Sequence, residues 1–255
     1  SLPDGIRVTS KCLLATDTNQ AIADRLEKSI RRSLESLRAE HIDLFFLHSQ
    51  IILDNYQFPA PLNETQQQWS VTQHCFDEAV RPAFEALIQR GLIGAWGITG
   101  TGHPDAIEHI LASDKPPQVV QLISNLLDSP GGIKRYPEAA RQRALIAQAA
   151  ANGIGVMGIR AVQAGALCAE FDRPIAMDHP EMLDYDRAAP FRALCQTWAM
   201  DPAVVAHRYA LAMAGVSTVV LGVKNQQELR ACLDGGGPLS MEQVASIDAL
   251  GLQRP

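Results

Sequence analysis

Short apolar runs, each followed by a stretch with helical periodicity, constrain the fold of this chain more than any other feature. The runs occupy residues 6–10, 42–47, 95–99, 119–123, 154–159 and 217–221. Most are continuously apolar rather than alternating, as expected for strands covered on both faces. Between them, Leu26, Ile30, Leu34 and Leu37 recur along one face of a helix. Phe76, Val80, Phe84, Leu87 and Ile88 form a second such face, ended by Gly91, which can take the left-handed conformation of a helix terminator. Pro104 opens a third helix with Ile107, Ile110 and Leu111 on one side, and a fourth covers about 138–152, before Gly153. A pair follows, one helix near 191–198 and one with Asp201 as N-cap and Pro202 as first helical residue. The second of the pair carries Val205, Tyr209, Ala212 and Met213 on one face. Ser240 and Gln243 read as a capping box, stapled by Leu239 and Val244.

The order β-α-β-α-β-α-β-α-β-αα-β-α-α calls for right-handed crossovers and a parallel sheet. Such a sheet either closes into a barrel or stays open and doubly wound. Neither a Gly-rich dinucleotide fingerprint after the first strand nor a Walker A sequence is present. The glycine-rich 97–102 has the wrong spacing, and Gly153-Ile154-Gly155 reads as a turn. Residues 57–64, 129–136 and 173–190 read as long loops within a single domain covering 1–255.

Composition narrows the partners. The formal net charge of −6 argues against nucleic acid or an anionic membrane. Hydrophobic residues make up 47% of the 255, which supports a core and argues against general disorder. No apolar run has the length of a membrane span, and the first thirty residues lack a signal-peptide pattern. Five scattered cysteines without a C-x-x-C pair suit reduced, mostly buried thiols in a cytoplasmic protein, rather than a disulfide framework or a metal site.

In parallel βα folds, ligands meet the carboxyl ends of the strands. Those ends carry Lys11, His48, Thr99-Gly100, Gln121 with Asn125 beyond it, Arg160, and Gly222-Val223-Lys224-Asn225. Any one of these also fits a solvated rim. Lys11 and His48 stand out because each closes an apolar strand and would point into a crevice.

From Ser29 to Ser49, a helix with an S-L-x-x-L pattern leads into a D-L-x-x-x-H strand. This stretch resembles the aldo-keto reductase signature. Residues 91–100 resemble the family's G-K-I-R-x-I-G-V-S segment, and 119–125 its x-x-Q-x-x-Y-N segment. Residues 153–165 resemble G-I-x-V-x-A-Y-S-P-L-x-x-G, and 216–229 resemble V-x-x-V-I-P-G-x-x-x-x-x-x-L. The five segments follow in family order over nearly the whole chain.

The resemblance implies an α/β fold, the (β/α)8 TIM barrel, with NADP or NAD extended across its carboxyl face. It implies an oxidoreductase that reduces an aldehyde or ketone to an alcohol; the alternative is a non-catalytic, nucleotide-binding regulatory relative. In the family, hydride passes from nicotinamide to a carbonyl carbon and a tyrosine gives the proton to the oxygen. A lysine paired with an aspartate lowers the tyrosine pKa, and a histidine orients the carbonyl. By position the lysine is Lys11 and the histidine His48.

The cofactor contacts carry over residue by residue. Gln121 matches the glutamine that bonds the nicotinamide carboxamide, and Thr99-Gly100 stands where the family has Ser-Asn. Ile159 takes the place of the ring-stacking tyrosine. Arg160 follows where a serine is common and could pair with a phosphate or a substrate acid. Gly222 and Val223 would offer N–H groups to the pyrophosphate, and Lys224 would add charge. Glu228 lies near the ribose position and favours NADH, since a carboxylate repels a 2′-phosphate, while Lys224 leans the other way.

A barrel of this family has eight strands against the six counted here. At about 30 residues per unit, the first two βα units, roughly 60 residues, are expected to be absent from this chain. In relatives that segment carries the catalytic aspartate and tyrosine, so the polypeptide alone is expected to be inactive. Of its four tyrosines, Tyr56 follows the His48 strand, Tyr136 and Tyr185 lie in loops, and Tyr209 lies on a helix face. Exposed barrel edges would need a second copy of the chain (a homo-oligomer), a swapped segment or further residues to cover them. Tyr56, Phe58, Trp69, Phe171, Met177 and Met182, in loops 50–72 and 170–190, suggest an apolar or aromatic small-molecule carbonyl substrate.

Overall fold

The structure is a computed structural model that describes residues 5–14, 19–60 and 62–253. The chain divides into two compact units, Ser1–Gln121 with Asn152–Ile154, and Leu122–Ala151 with Gly155–Pro255. Ser1, where the question of an incomplete N-terminus arises, lies outside the described residues.

In the first unit, β1 (Thr9–Cys12) leads to α1 (Asn19–Leu37), β2 (Ile42–Leu47) and β3 (Gln50–Ile52). Next come α2 (Asn63–Gln67), β4 (Ser70–Thr72), α3 (Gln73–Cys75), a π-helical stretch Phe76–Val80, and α4 (Arg81–Gln89). The unit ends with β5 (Ile93–Thr99), α5 (Pro104–Leu111) and most of β6 (Val119–Ile123). Strands β1, β2, β5 and β6 lie side by side in that order, every pairing parallel, and β3 pairs in parallel with β4 as a separate ribbon. Most of the predicted helical faces are buried: Leu26 and Ile30 in α1, Phe84 and Leu87 in α4, Ile107, Ile110 and Leu111 in α5. The α1 stripe fades toward its end, where Leu34 is half-buried and Leu37 exposed, and Ile88 in α4 is half-buried. Phe84 stacks on Trp96 of β5 with ring centroids 5.5 Å apart, and the indole N–H of Trp96 donates to Glu85 at 2.9 Å. Each such fully buried apolar side chain contributes about 1.5–3 kcal/mol.

The second unit takes the end of β6, a 3-10 turn at Gly131–Ile133, α6 (Gln142–Ala151) and β7 (Gly155–Ile159). A second 3-10 turn, Gln163–Gly165, precedes α7 (Pro180–Arg187), α8 (Ala189–Thr197) and α9 (Pro202–Ala212). The chain then runs through β8 (Thr218–Val219), α10 (Gln226–Asp234) and α11 (Met241–Asp248). Strands β7 and β8 pair in parallel, and beyond β6 the Ser124 N–H donates to the Ile159 carbonyl at 3.0 Å. The caps read from sequence are formed: Asp201 accepts from the N–H groups of Ala203 and Val204, and Ser240 and Gln243 make a capping box.

Helix α7 lies within the stretch read as a loop. It starts as α5 does, on a His-Pro-acid triplet: His179 Nδ1 accepts from Glu181 N–H, and His103 Nδ1 from Asp105 N–H, both at 3.3 Å. Strand β8 is shorter than expected, and Val220 and Leu221 are exposed beyond it. Among the described residues, no helix is long and apolar enough to cross a membrane.

Candidate active site

Strand register alone brings candidate residues of the first unit onto one face. In-register residues of a parallel pair point to the same side, and side chains alternate along each strand. Lys11 is in register with Phe46, so it shares a face with Phe46 and with His48 just beyond β2. The same row continues across the sheet. Leu47 is in register with Ile98, which sets His48 beside Thr99, and Thr99 is in register with Gln121. The backbone N–H of His48 donates to the Cys12 carbonyl at 2.8 Å, fixing the strand end.

The row is joined by side-chain hydrogen bonds. His48 Nδ1 and Thr99 Oγ1 are 3.2 Å apart, and the Thr99 hydroxyl donates to Gln121 Oε1 at 2.9 Å. Thr99 is only 3% exposed, while His48 and Gln121 are half-buried and Lys11 is exposed. Beneath this row, the buried Phe46 ring lies against Gly97. A Cβ at Gly97 would come within 2.5 Å of Phe46 Cε1 and 2.6 Å of the Val119 carbonyl oxygen. Only glycine lets the ring and the neighbouring strand approach this closely. Burial pushes the His48 imidazole below its ordinary pKa, and the Lys11 charge adds to that shift. His48 is therefore a neutral imidazole at pH 7.

The candidates of the second unit are engaged with their own neighbours. Ile159 closes β7. Arg160, in the left-handed region with φ 56°, donates from Nε to Gln163 and from Nη2 to Glu181, each at 2.8 Å. Burial works against ionisation of Glu181, but hydrogen bonds from Arg160 and from the Gly132 N–H hold its carboxyl below the usual range. Lys224 pairs with Asp172. The Glu228 carboxylate accepts from the Lys224 N–H at 2.8 Å and from Asn225 Nδ2 at 3.0 Å, while Asn225 caps α10 through the Glu228 N–H. Gly222 is open: nothing lies within 4 Å of the position a Cβ would take. Val223 follows it in the same irregular segment and is half-buried.

Sequence reasoning missed a buried polar network in the second unit. Asp184 accepts from Ser129 Oγ at 2.5 Å, Gln163 Nε2 at 2.8 Å and Arg187 Nη2 at 2.6 Å. Asn125 Nδ2 donates to the Ser129 carbonyl at 3.0 Å. The network borders a cavity of about 570 Å³ also lined by Lys134, Arg135, Tyr136 and His179. Residues 129–136 and 173–190 were expected to be loops; the available signal was the second His-Pro-acid triplet, which starts α7.

The tyrosines are placed as follows. The Tyr209 hydroxyl donates to Asp248 and accepts from Arg143 Nη2, and burial pushes its pKa up to about 12. The Tyr185 hydroxyl donates to the Ala169 carbonyl at 3.1 Å. Lys134 lies over the Tyr136 ring, and Tyr56 packs edge-on against Phe58 and His103. Of the residues expected to line a substrate pocket, Phe58 is buried, while Trp69 and Met177 are exposed.

The family model described as "Aldo/keto reductase family" matches residues 3–251. Among solved structures, the chain is similar to the aldo-keto reductase AKR11C1 from Bacillus halodurans. The apo form is 21% identical with a TM-score of 0.61, covering 96% of this chain and 71% of that one. The holo form is 19% identical with a TM-score of 0.64, covering 96% and 72%. The chain is also similar to the glycerol dehydrogenase AKR11B4 from Gluconobacter oxydans, at 18% identity and a TM-score of 0.65, covering 98% and 73%. No curated protein sequence matches the chain.

Proposed function

The chain belongs to the aldo/keto reductase family, with the (β/α)8 TIM-barrel fold class and an oxidoreductase role, and from that premise we propose that it transfers hydride between NADP or NAD and a small carbonyl compound. The observation that supports this most is the row His48–Thr99–Gln121 with Lys11 on the same face. A glutamine amide beside a hydroxyl is complementary to a primary carboxamide, which both donates and accepts. This donor set fits the nicotinamide end of such a cofactor. When bound, the cofactor supplies the hydride. Lys11 contributes a positive group near which charge on a substrate oxygen is stabilised, and His48 a ring nitrogen that hydrogen-bonds the substrate.

In the second unit, the open Gly222 and adjoining Val223 allow backbone N–H groups to meet a pyrophosphate, and Ile159 offers an apolar surface to a ring. Lys224 adds charge there only in competition with Asp172. Arg160 meets a phosphate only by leaving Glu181. Glu228 already holds the Lys224 N–H, and its carboxylate charge, which repels a 2′-phosphate, weighs toward NAD.

A second reading, a nucleotide-binding relative without turnover, draws on the tyrosines. Tyr209 is kept protonated and doubly hydrogen-bonded, and Tyr185 is spent on a backbone carbonyl. One experiment separates the readings. NADH and NADPH fluorescence is titrated with the protein, and turnover is then measured on a panel of aldehydes, ketones and alcohols that includes glycerol. Binding with turnover that is lost in Lys11→Met and His48→Phe supports the enzyme. Binding without turnover supports the second reading, and absence of binding refutes both.

A further inference from the structure

We propose that Thr99 is a positioning residue that sets the tautomer of His48, so that the ring carries its proton on Nδ1 and offers Nε2 to a ligand as a hydrogen-bond acceptor. A hydroxyl has a single proton to donate. Thr99 commits that proton to Gln121 Oε1, an oxygen that can only accept, at 2.9 Å. What Thr99 turns toward His48 is therefore a lone pair. The 3.2 Å approach of His48 Nδ1 is a hydrogen bond only if Nδ1 is protonated. A neutral imidazole has one N–H, which leaves Nε2 bare. Thr99 is almost fully buried, so water does not readily replace either partner.

The sequence supports the relay. Gly100 brings no side-chain amide beside Thr99, and its backbone N–H is taken by the Gln121 carbonyl at 2.8 Å. The alternation along β5 places Thr99, rather than Ile98, on the His48 face.

This inference rests on the proposed function for its chemical meaning. A neutral His48 of this tautomer accepts from a substrate hydroxyl and gives nothing to a carbonyl oxygen. The member of the alcohol–carbonyl pair that His48 engages is then the alcohol.

The test needs no cofactor. Long-range proton–nitrogen correlation NMR of the labelled protein reads which imidazole nitrogen is protonated, with His48 assigned by the signals lost in His48→Gln. The wild type is expected to show Nδ1 protonated and Nε2 bare. Thr99→Val removes the acceptor, and the ring is expected to return to the Nε2–H form preferred by free histidine; Thr99→Ser is expected to restore the wild-type pattern. Gln121→Met leaves Thr99 in place but frees its proton to face His48, and the same switch to Nε2–H is expected. That variant decides the matter if Thr99→Val does not fold. A wild-type His48 protonated on Nε2, or an Nδ1–H form that survives loss of the Gln121 acceptor, overturns the proposal and leaves the proposed function standing. Failure of both nucleotides to bind overturns the function and leaves the tautomer result intact. Where turnover is measurable, Thr99→Val is expected to raise KM for the alcohol about 2- to 10-fold, the equivalent of one hydrogen bond, and Thr99→Ser to recover it. An unchanged KM removes the alcohol from the inference.

Discussion

Arg160 and Glu181 form an ion pair at 2.8 Å, with side-chain exposures of 16% and 6%. The guanidinium that the sequence offered to a phosphate or a substrate acid already has a carboxylate of its own. Glu181→Gln keeps the shape and removes the charge, leaving Arg160 with at most a neutral hydrogen bond there beside the one to Gln163. The expected loss is about 1–3 kcal/mol of unfolding free energy, read from the urea midpoint. If the nucleotide also binds more tightly in this variant, the freed Arg160 has found a phosphate.

Gly97→Ala places a methyl group against the Phe46 ring and the Val119 carbonyl. Neither neighbour has room to retreat, because the ring is buried and the carbonyl belongs to the adjacent strand. The expected cost is about 1–3 kcal/mol, measured by denaturation. Displacement of Phe46 should also shift the NMR signals of His48, which shares its face.

His48 should titrate below the ordinary 6.5, since burial and then the Lys11 charge lower its pKa. The unfolded chain therefore takes up a proton at a higher pH than the folded one. The stability contributed by neutral His48 is fully present above 6.5 and is lost as pH falls toward the folded pKa. Lys11→Met should raise the NMR titration midpoint without bringing it to 6.5, because burial is the larger cause. A midpoint unmoved by that substitution would separate the two residues electrostatically.

Tyr209 runs the other way. With its pKa pushed up to about 12 from an ordinary 10, its contribution to stability is present below pH 10 and drains away as pH rises toward the folded value. Ultraviolet titration should show a tyrosine ionising at about pH 12. Tyr209→Phe should abolish that late step and cost about 1–2 kcal/mol through lost hydrogen bonds.

Glu228→Gln tests the nucleotide preference. The neutral amide still reaches the Lys224 N–H but no longer repels a 2′-phosphate. Affinity for NADPH should rise relative to NADH in a fluorescence titration. An unchanged ratio would place the selectivity elsewhere.

The barrel strands were legible where the apolar run and the backbone ladder coincide, as at Ile42–Leu47 and Val119–Ile123. They part at the first strand, read from sequence as residues 6–10. There the Asp43 carboxylate takes the Val8 N–H at 2.8 Å and Ile6 stays exposed, so the ladder begins at Thr9. The short β3–β4 ribbon escaped notice because three residues per strand are too few for a periodic signal. Lys11, His48, Thr99 and Gln121 were readable as strand-end polar groups. Their hydrogen-bond order was not, because it depends on which strands are neighbours. The Ser129–Asp184–Gln163 network joins residues far apart in sequence, and no local pattern marks it.

Because the His48–Thr99–Gln121 line is drawn straight across three strands, it shares its phase with the apolar packing beneath. A single-residue slip of the middle strand would swap Thr99 for an isoleucine or a glycine and turn the hydroxyl into the opposite layer. Insertions in the turns are survivable only where they leave that phase untouched. Within this stretch of the chain, mistakes in strand pairing and mistakes in proton placement are the same error.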